Sequence, residues 1–171
     1  TVKALKDYVD VWLPDLKYFD NGLAWELSRA GDYFETASAA IAQMIAQTGP
    51  PVFEEHVYSH PGLADRKFTL IKKGVIIRHL VLPGHREDSM ALLRWICSHL
   101  PADSFLLSLL SQYTPVLPNP KHPELNRRLT SYEYDKVVEE AVRLGLTHGY
   151  MQKKSSAREE YTPPFNLEGL P

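Results

Sequence analysis

Runs of apolar residues alternate with stretches of helical period along this chain, and that alternation predicts parallel strands joined by crossover helices. The first run, Asp7 to Leu13, sets Val9, Val11 and Leu13 on one side and Tyr8 and Trp12 on the other. Pro14 has no amide to give to a ladder and marks the end of that strand. Asp20-Asn21-Gly22 reads as a turn in a short linker. From Asp32 to Thr48, Phe34, Ala37, Ile41, Met44 or Ile45, and Thr48 recur at helical spacing. Asp32 and Glu35 offer a start resembling a capping box, and Gly49-Pro50-Pro51 stops the helix.

Val52 to Lys73 shows no clean period and predicts a long, partly ordered excursion. Val75 to Leu82 is the strongest strand in the chain, a nearly continuous branched-apolar run interrupted by Arg78 and His79, and such a run predicts burial on both faces. A helix from about Asp88 to Leu100 follows, with Asp88 or Ser89 as its N-cap and Leu92, Leu93, Ile96 and Leu100 turned to the core. Ser104 to Ser111 reads as a third strand, and Asn119-Pro120-Lys121-His122-Pro123 as a rigid loop. Thr130-Ser131-Tyr132-Glu133 is a capping box that opens a helix to about Leu144, closed by Gly145. The predicted class is α/β, with residues 1–151 as one domain and 152–171 as a polar, extended tail.

Composition narrows the field. A chain of 171 residues with 44% hydrophobic content can bury one sizeable core. Its net charge of -2 comes from interspersed charges, with no basic stripe to neutralise a phosphate backbone, which argues against nucleic acid. No apolar run approaches the roughly 20 residues that span a bilayer. The single cysteine, Cys97, excludes an internal disulfide and a paired-cysteine zinc site, and a cytoplasmic location is expected.

In parallel strand-helix units, ligands gather where the strands end and the helices begin. Asp15 and Lys17 lie just past the first strand and share a face if the chain stays extended. Such a pair can receive a zwitterion, or it can be an ordinary solvated ion pair. Arg78 cannot discard its proton, so inside a buried strand it needs a ligand or a carboxylate such as Asp10 or Asp15. His79 faces the opposite way, and a packed, hydrogen-bonded ring is expected there. His56 and His60 are four residues apart without helical context, no histidine pair has metal-ligand spacing, and Cys97 is expected to pack as a small hydrophobe. No nucleophile elbow, P-loop or dinucleotide fingerprint is present.

Several segments together resemble a known family. Asp15-Leu16-Lys17 is similar to an Asp-x-Lys motif, and Ile77-Arg78-His79-Leu80-Val81-Leu82-Pro83-Gly84 to a following strand motif, in radical S-adenosylmethionine proteins related to the pyruvate formate-lyase activating enzyme. Arg86-Glu87-Asp88-Ser89 matches that family's acidic helix start, and Gln112-Tyr113-Thr114-Pro115 with His122-Pro123-Glu124-Leu125-Asn126-Arg127-Arg128 resembles a less characterised subgroup. The resemblance runs to about Leu146 and implies the C-terminal half of a partial (β/α) barrel. It implies S-adenosylmethionine contacts from Asp15, Lys17 and Arg78, and from Gln112 and Tyr113, which stand where better-known members place a histidine.

In that family a 4Fe-4S cluster on a C-x3-C-x2-C motif reduces S-adenosylmethionine to a 5'-deoxyadenosyl radical, which can install a glycyl radical on a partner enzyme. With only Cys97 the cluster ligands are absent, so the chain is expected to be inactive alone and its parent to be an activating-type oxidoreductase with an electron donor. The competing expectation is a non-catalytic half-barrel that binds a partner or an amino acid-like ligand. An open sheet edge would in either case favour a homodimer.

Overall fold

The computed structural model describes residues 1–59, 65–115 and 118–151. The tail beyond Met151 and the His60-Pro61-Gly62 stretch lie outside them. After a 3-10 turn at Val2–Leu5 come β1 (Val11–Trp12), α1 (Asn21–Ser28), α2 (Tyr33–Thr48), β2 (Val52–Tyr58), β3 (Arg66–Leu80), α3 (Arg86–His99), β4 (Leu106–Leu110), α4 (Ser131–Arg143) and β5 (Gly149–Met151). Strands β1, β3, β4 and β5 lie side by side in that order and all run parallel. The class is α/β, as the alternation predicts.

Strand β3 does two jobs. Its first half pairs antiparallel with β2 over Val52–Tyr58, and its second half pairs parallel with β1 and β4. The irregular excursion expected over Val52 to Lys73 is therefore a hairpin. Its alternation is blurred because, among the described residues, neither face is covered: Phe53, Val57, Phe68 and Leu70 are all exposed, so no selection for a polar side and an apolar side is visible. Gly74 marks the change of partner, with a φ of +140° and Pro51 so close that a Cβ would lie 3.0 Å from its Cα.

Among the described residues, helices pack on one face of the parallel sheet. Val75, Ile77, Val81, Leu107 and Leu109 meet Ile41 and Ile45 of α2, Leu92, Leu93 and Ile96 of α3, and Val137 and Ala141 of α4. Glu140 ties α4 to α3 by accepting from Arg94 Nε at 2.7 Å while Arg143 Nε binds its other oxygen at 2.7 Å. The opposite face carries Leu13, Ile76, Arg78, Leu80, Ser108 and Tyr150, which share it by register. Burial of β3 on both sides was the expectation from its apolar run. One side is partly open.

Three element boundaries depart from the sequence reading. The first strand is short, covering Val11–Trp12 with one further bridge at Asp15. Asp20-Asn21-Gly22 opens α1, with Asp20 Oδ1 accepting from Leu23 N at 2.7 Å. Helix α3 starts at Arg86 with His85 in the N-cap position. Asp88 is used elsewhere: its carboxylate accepts from the backbone of Phe19 and Asp20 at 3.0 and 2.8 Å, which anchors the loop after β1. The α4 capping box forms as expected, with Thr130 and Glu133 in reciprocal hydrogen bonds.

Candidate functional site

Asp15, Lys17 and Arg78 converge past the end of β1. Asp15 and Arg78 are register partners, and Arg78 Nη2 donates to Asp15 Oδ1 at 2.8 Å. Lys17 Nζ stands 4.0 Å from the other carboxylate oxygen. Of the two carboxylates that the sequence offers to Arg78, the structure uses Asp15. Arg78 is not enclosed in apolar surroundings: among the described residues no helix covers its face of the sheet, and its side chain is 42% exposed. Its Nε, however, is buried and makes no hydrogen bond to the described residues.

The segment from Asp15 to Lys17 is held through the backbone at Asp15 O, Leu16 N, Leu16 O and Lys17 N. Leu16 N donates to Arg78 O, and Arg78 N donates to Pro14 O, both at 2.9 Å. Tyr33, from the first turn of α2, donates its hydroxyl to Asp15 O at 2.9 Å and accepts from Lys17 N at 2.8 Å. Burial raises the Tyr33 pKa against the lowering effect of the Lys17 amide, which keeps the phenol a donor. Nothing in the spacing singles Tyr33 out, since this role comes from the path of α2 across the strand end.

His79 is the packed, hydrogen-bonded ring expected. Its Nδ1 meets Leu16 O at 2.7 Å and its Nε2 meets Ser89 Oγ at 2.9 Å. A carbonyl only accepts, so Nδ1 carries the proton and Nε2 accepts from the serine. Burial pushes the His79 pKa down, opposed by the bond to Leu16 O and by the charge of Asp88. The ring thereby fastens Leu16, between Asp15 and Lys17, to the start of α3.

Gln112 and Tyr113 follow β4. Gln112 is exposed. The Tyr113 hydroxyl donates to Leu125 O at 3.0 Å, which fastens the loop after β4 to a 3-10 turn at Pro123–Asn126.

A second polar cluster gathers where that turn meets the loop after β3. Glu124 Oε1 lies 3.1 Å from His85 Nε2 and 3.1 Å from His122 Nδ1. Burial alone would raise the Glu124 pKa, but bonds from its own amide, His122 and His85 hold it below the ordinary carboxylate range. Sequence spacing hides this group, because His85 and Glu124 are 39 positions apart.

Cys97 is not packed as a small hydrophobe. It is exposed on the last turns of α3, and its Sγ contacts Leu144 O at 3.5 Å. It lines a cleft with Leu100, Phe105 and Leu107, by the beginning of β4, whereas Asp15 and Lys17 follow β1 and Arg78 precedes the end of β3. One thiol so placed does not fit a 4Fe-4S cluster, which takes several thiolates. The Asp15, Lys17 and Arg78 group does fit an amino acid-like end such as that of S-adenosylmethionine: it offers a carboxylate, an ammonium and a guanidinium, each partly exposed, within one corner.

The chain is 30% identical over 144 residues to an uncharacterized protein of Methanocaldococcus jannaschii, a match covering 83% of this chain and 34% of that protein. The chain thus spans about a third of the length of the relative it matches. No family model matches it. No solved structure matches it. Among the described residues, no helix is long and apolar enough to cross a membrane.

Proposed function

We propose that this chain is the C-terminal part of a radical S-adenosylmethionine protein of the activating-enzyme type, with Asp15, Lys17 and Arg78 seating the amino acid end of the cofactor. The observation that carries the reading is the convergence of the partly exposed Asp15, Lys17 and Arg78 side chains at the end of a parallel strand pair. A ligand carboxylate can accept from the exposed part of the Arg78 guanidinium and from Lys17, while a ligand ammonium meets Asp15. When bound and reduced in a complete protein, S-adenosylmethionine supplies a 5'-deoxyadenosyl radical. This chain's share is to orient the methionyl group, with Tyr33 and His79 fixing the backbone on which Asp15 and Lys17 sit. A partial (β/α) barrel with one open face suits that role, since the resembled family encloses its cofactor inside such a barrel. A glycyl radical enzyme and an electron donor are the partners this reading implies for the complete protein.

Calorimetric titration of the purified chain with S-adenosylmethionine tests the proposal. Saturable binding that falls at least tenfold in Arg78→Met and in Asp15→Asn is expected. Binding unaffected by either substitution overturns it. A second reading, a ligand-binding half-barrel without radical chemistry, is favoured by the position of Cys97 away from this corner. It predicts that methionine binds as tightly as S-adenosylmethionine, because the adenosyl group would then add no contact.

A further inference from the structure

His85, His122 and Glu124 each offer one ligand atom to a small cluster, and those atoms all lie within 4.8 Å of one another. They come from separate places in the chain: His85 precedes the first residue of α3, after β3, while His122 and Glu124 sit at the 3-10 turn after β4. Two imidazoles and a carboxylate form a donor set that suits zinc and its first-row neighbours. Bonds of about 2.0–2.1 Å in a tetrahedral shell put neighbouring ligand atoms roughly 3.3 Å apart. The two spacings of 3.1 Å to Glu124 Oε1 are close to that.

The surroundings are arranged as those of a metal site are. His122 Nε2, the nitrogen turned away from Glu124, lies 3.3 Å from Glu26 Oε2 of α1. A carboxylate behind a ligating histidine fixes its tautomer and raises its basicity. A neutral imidazole has one N–H, so with Nε2–H turned to Glu26 the Nδ1 lone pair is left facing Glu124, the arrangement a cation between them would use. Gly84, at φ +81°, lies directly under Glu124, where a Cβ would come within 2.7 Å of its Cγ. The cluster borders a polar cleft lined by Glu26, Arg29, Lys121 and His122, from which water can complete a fourth position.

We infer that His85, His122 and Glu124 bind a divalent transition-metal ion of the zinc class, with Glu26 supporting His122 from behind. The site is separate from Asp15 and Arg78, and metal binding neither requires nor implies the cofactor reading. Its failure leaves that reading standing.

The test is titration of the purified, untagged chain with Co²⁺, followed by competition with Zn²⁺. One ion per chain is expected, with visible absorption bands of four-coordinate Co²⁺ that Zn²⁺ abolishes. Affinity should fall at least a hundredfold in Glu124→Gln and in His85→Gln, and roughly ten- to a hundredfold in Glu26→Gln. Circular dichroism identifies any variant that does not fold, and His85→Gln, at the partly exposed helix start, then decides in place of Glu124→Gln. Absence of saturable binding overturns the inference, and so does binding unchanged in the folded variants, which would assign the ion to other histidines.

Discussion

Arg78 Nη2 donates to Asp15 Oδ1 at 2.8 Å while 42% of the Arg78 side chain and 40% of the Asp15 side chain remain exposed. Geometry and register make the pair specific, yet solvent screens it. An ion pair so exposed contributes at most about 1 kcal/mol. Arg78→Met is therefore expected to lower stability by less than about 1 kcal/mol in urea denaturation. A loss of several kcal/mol would mean that Asp15 is left charged in an environment drier than its exposure indicates.

Tyr33 carries more of the local order than the ion pair does, because one hydroxyl serves both Asp15 O and Lys17 N. Tyr33→Phe removes both bonds and keeps the ring that packs edge-on against Tyr18. The expected cost is about 1–2 kcal/mol, with faster amide exchange at Lys17. Unchanged exchange at Lys17 would show that the β1 end is held without Tyr33.

What was legible in the sequence follows from burial. The helix faces of α2 and α3 and the Thr130 capping box could be read because a core or a helix end imposes a local pattern on them. The β2–β3 hairpin could not, because Phe53, Val57, Phe68 and Leu70 are exposed and no inward face organises the alternation. Helix α1 hid behind the turn chemistry of Asp20-Asn21-Gly22, whose aspartate is a cap. In the candidate site, Arg78 demanded a carboxylate by its charge alone, and Asp15 provides it. Tyr33, and the meeting of His85 with Glu124, depend on how distant segments are brought together and leave no periodic trace.

His79 gives stability a pH dependence of known sign. Burial lowers its folded pKa below the ordinary 6.5, so between those two values the unfolded chain binds more protons. The His79 contribution is complete above about pH 6.5 and is lost as pH falls toward the folded pKa. Glu133, held low by Arg127, and Glu140, held at about 2 by Arg143, act only at more acid pH. Chemical denaturation of wild type and His79→Gln from pH 7.5 to 5 should show the wild type losing stability faster below pH 6.5. Parallel pH profiles would show that His79 titrates alike in both states.

Glu133 joins three segments at the start of α4. It accepts from Arg127 Nη1 and Nη2 at 2.8 Å each, from Thr130 Oγ1 at 2.6 Å and from Gly84 N at 2.7 Å. Removing it breaks the helix cap and leaves the Gly84 amide unpaired. Glu133→Ala is expected to cost about 2 kcal/mol by thermal or urea denaturation, a cap loss of about 1 kcal/mol added to the bonds from a half-exposed Arg127 and the Gly84 amide. A cost below about 1 kcal/mol would mean that water replaces the carboxylate without loss.

The last prediction concerns the edge of the sheet. Among the described residues β1 pairs only with β3, and Leu13 is 51% exposed on the face that no helix covers. An unpaired strand edge presents amide and carbonyl groups to any matching strand, and the same edge on a second copy is always available. The chain is expected to self-associate through β1 as its concentration rises. Light scattering over a dilution series should show a mass that increases with concentration, and the Val11 and Leu13 amides should exchange more slowly at high concentration than at low. A monomer at every concentration, with exchange at these amides independent of dilution, would rule out the pairing, and any cover on this edge would then have to come from within the chain.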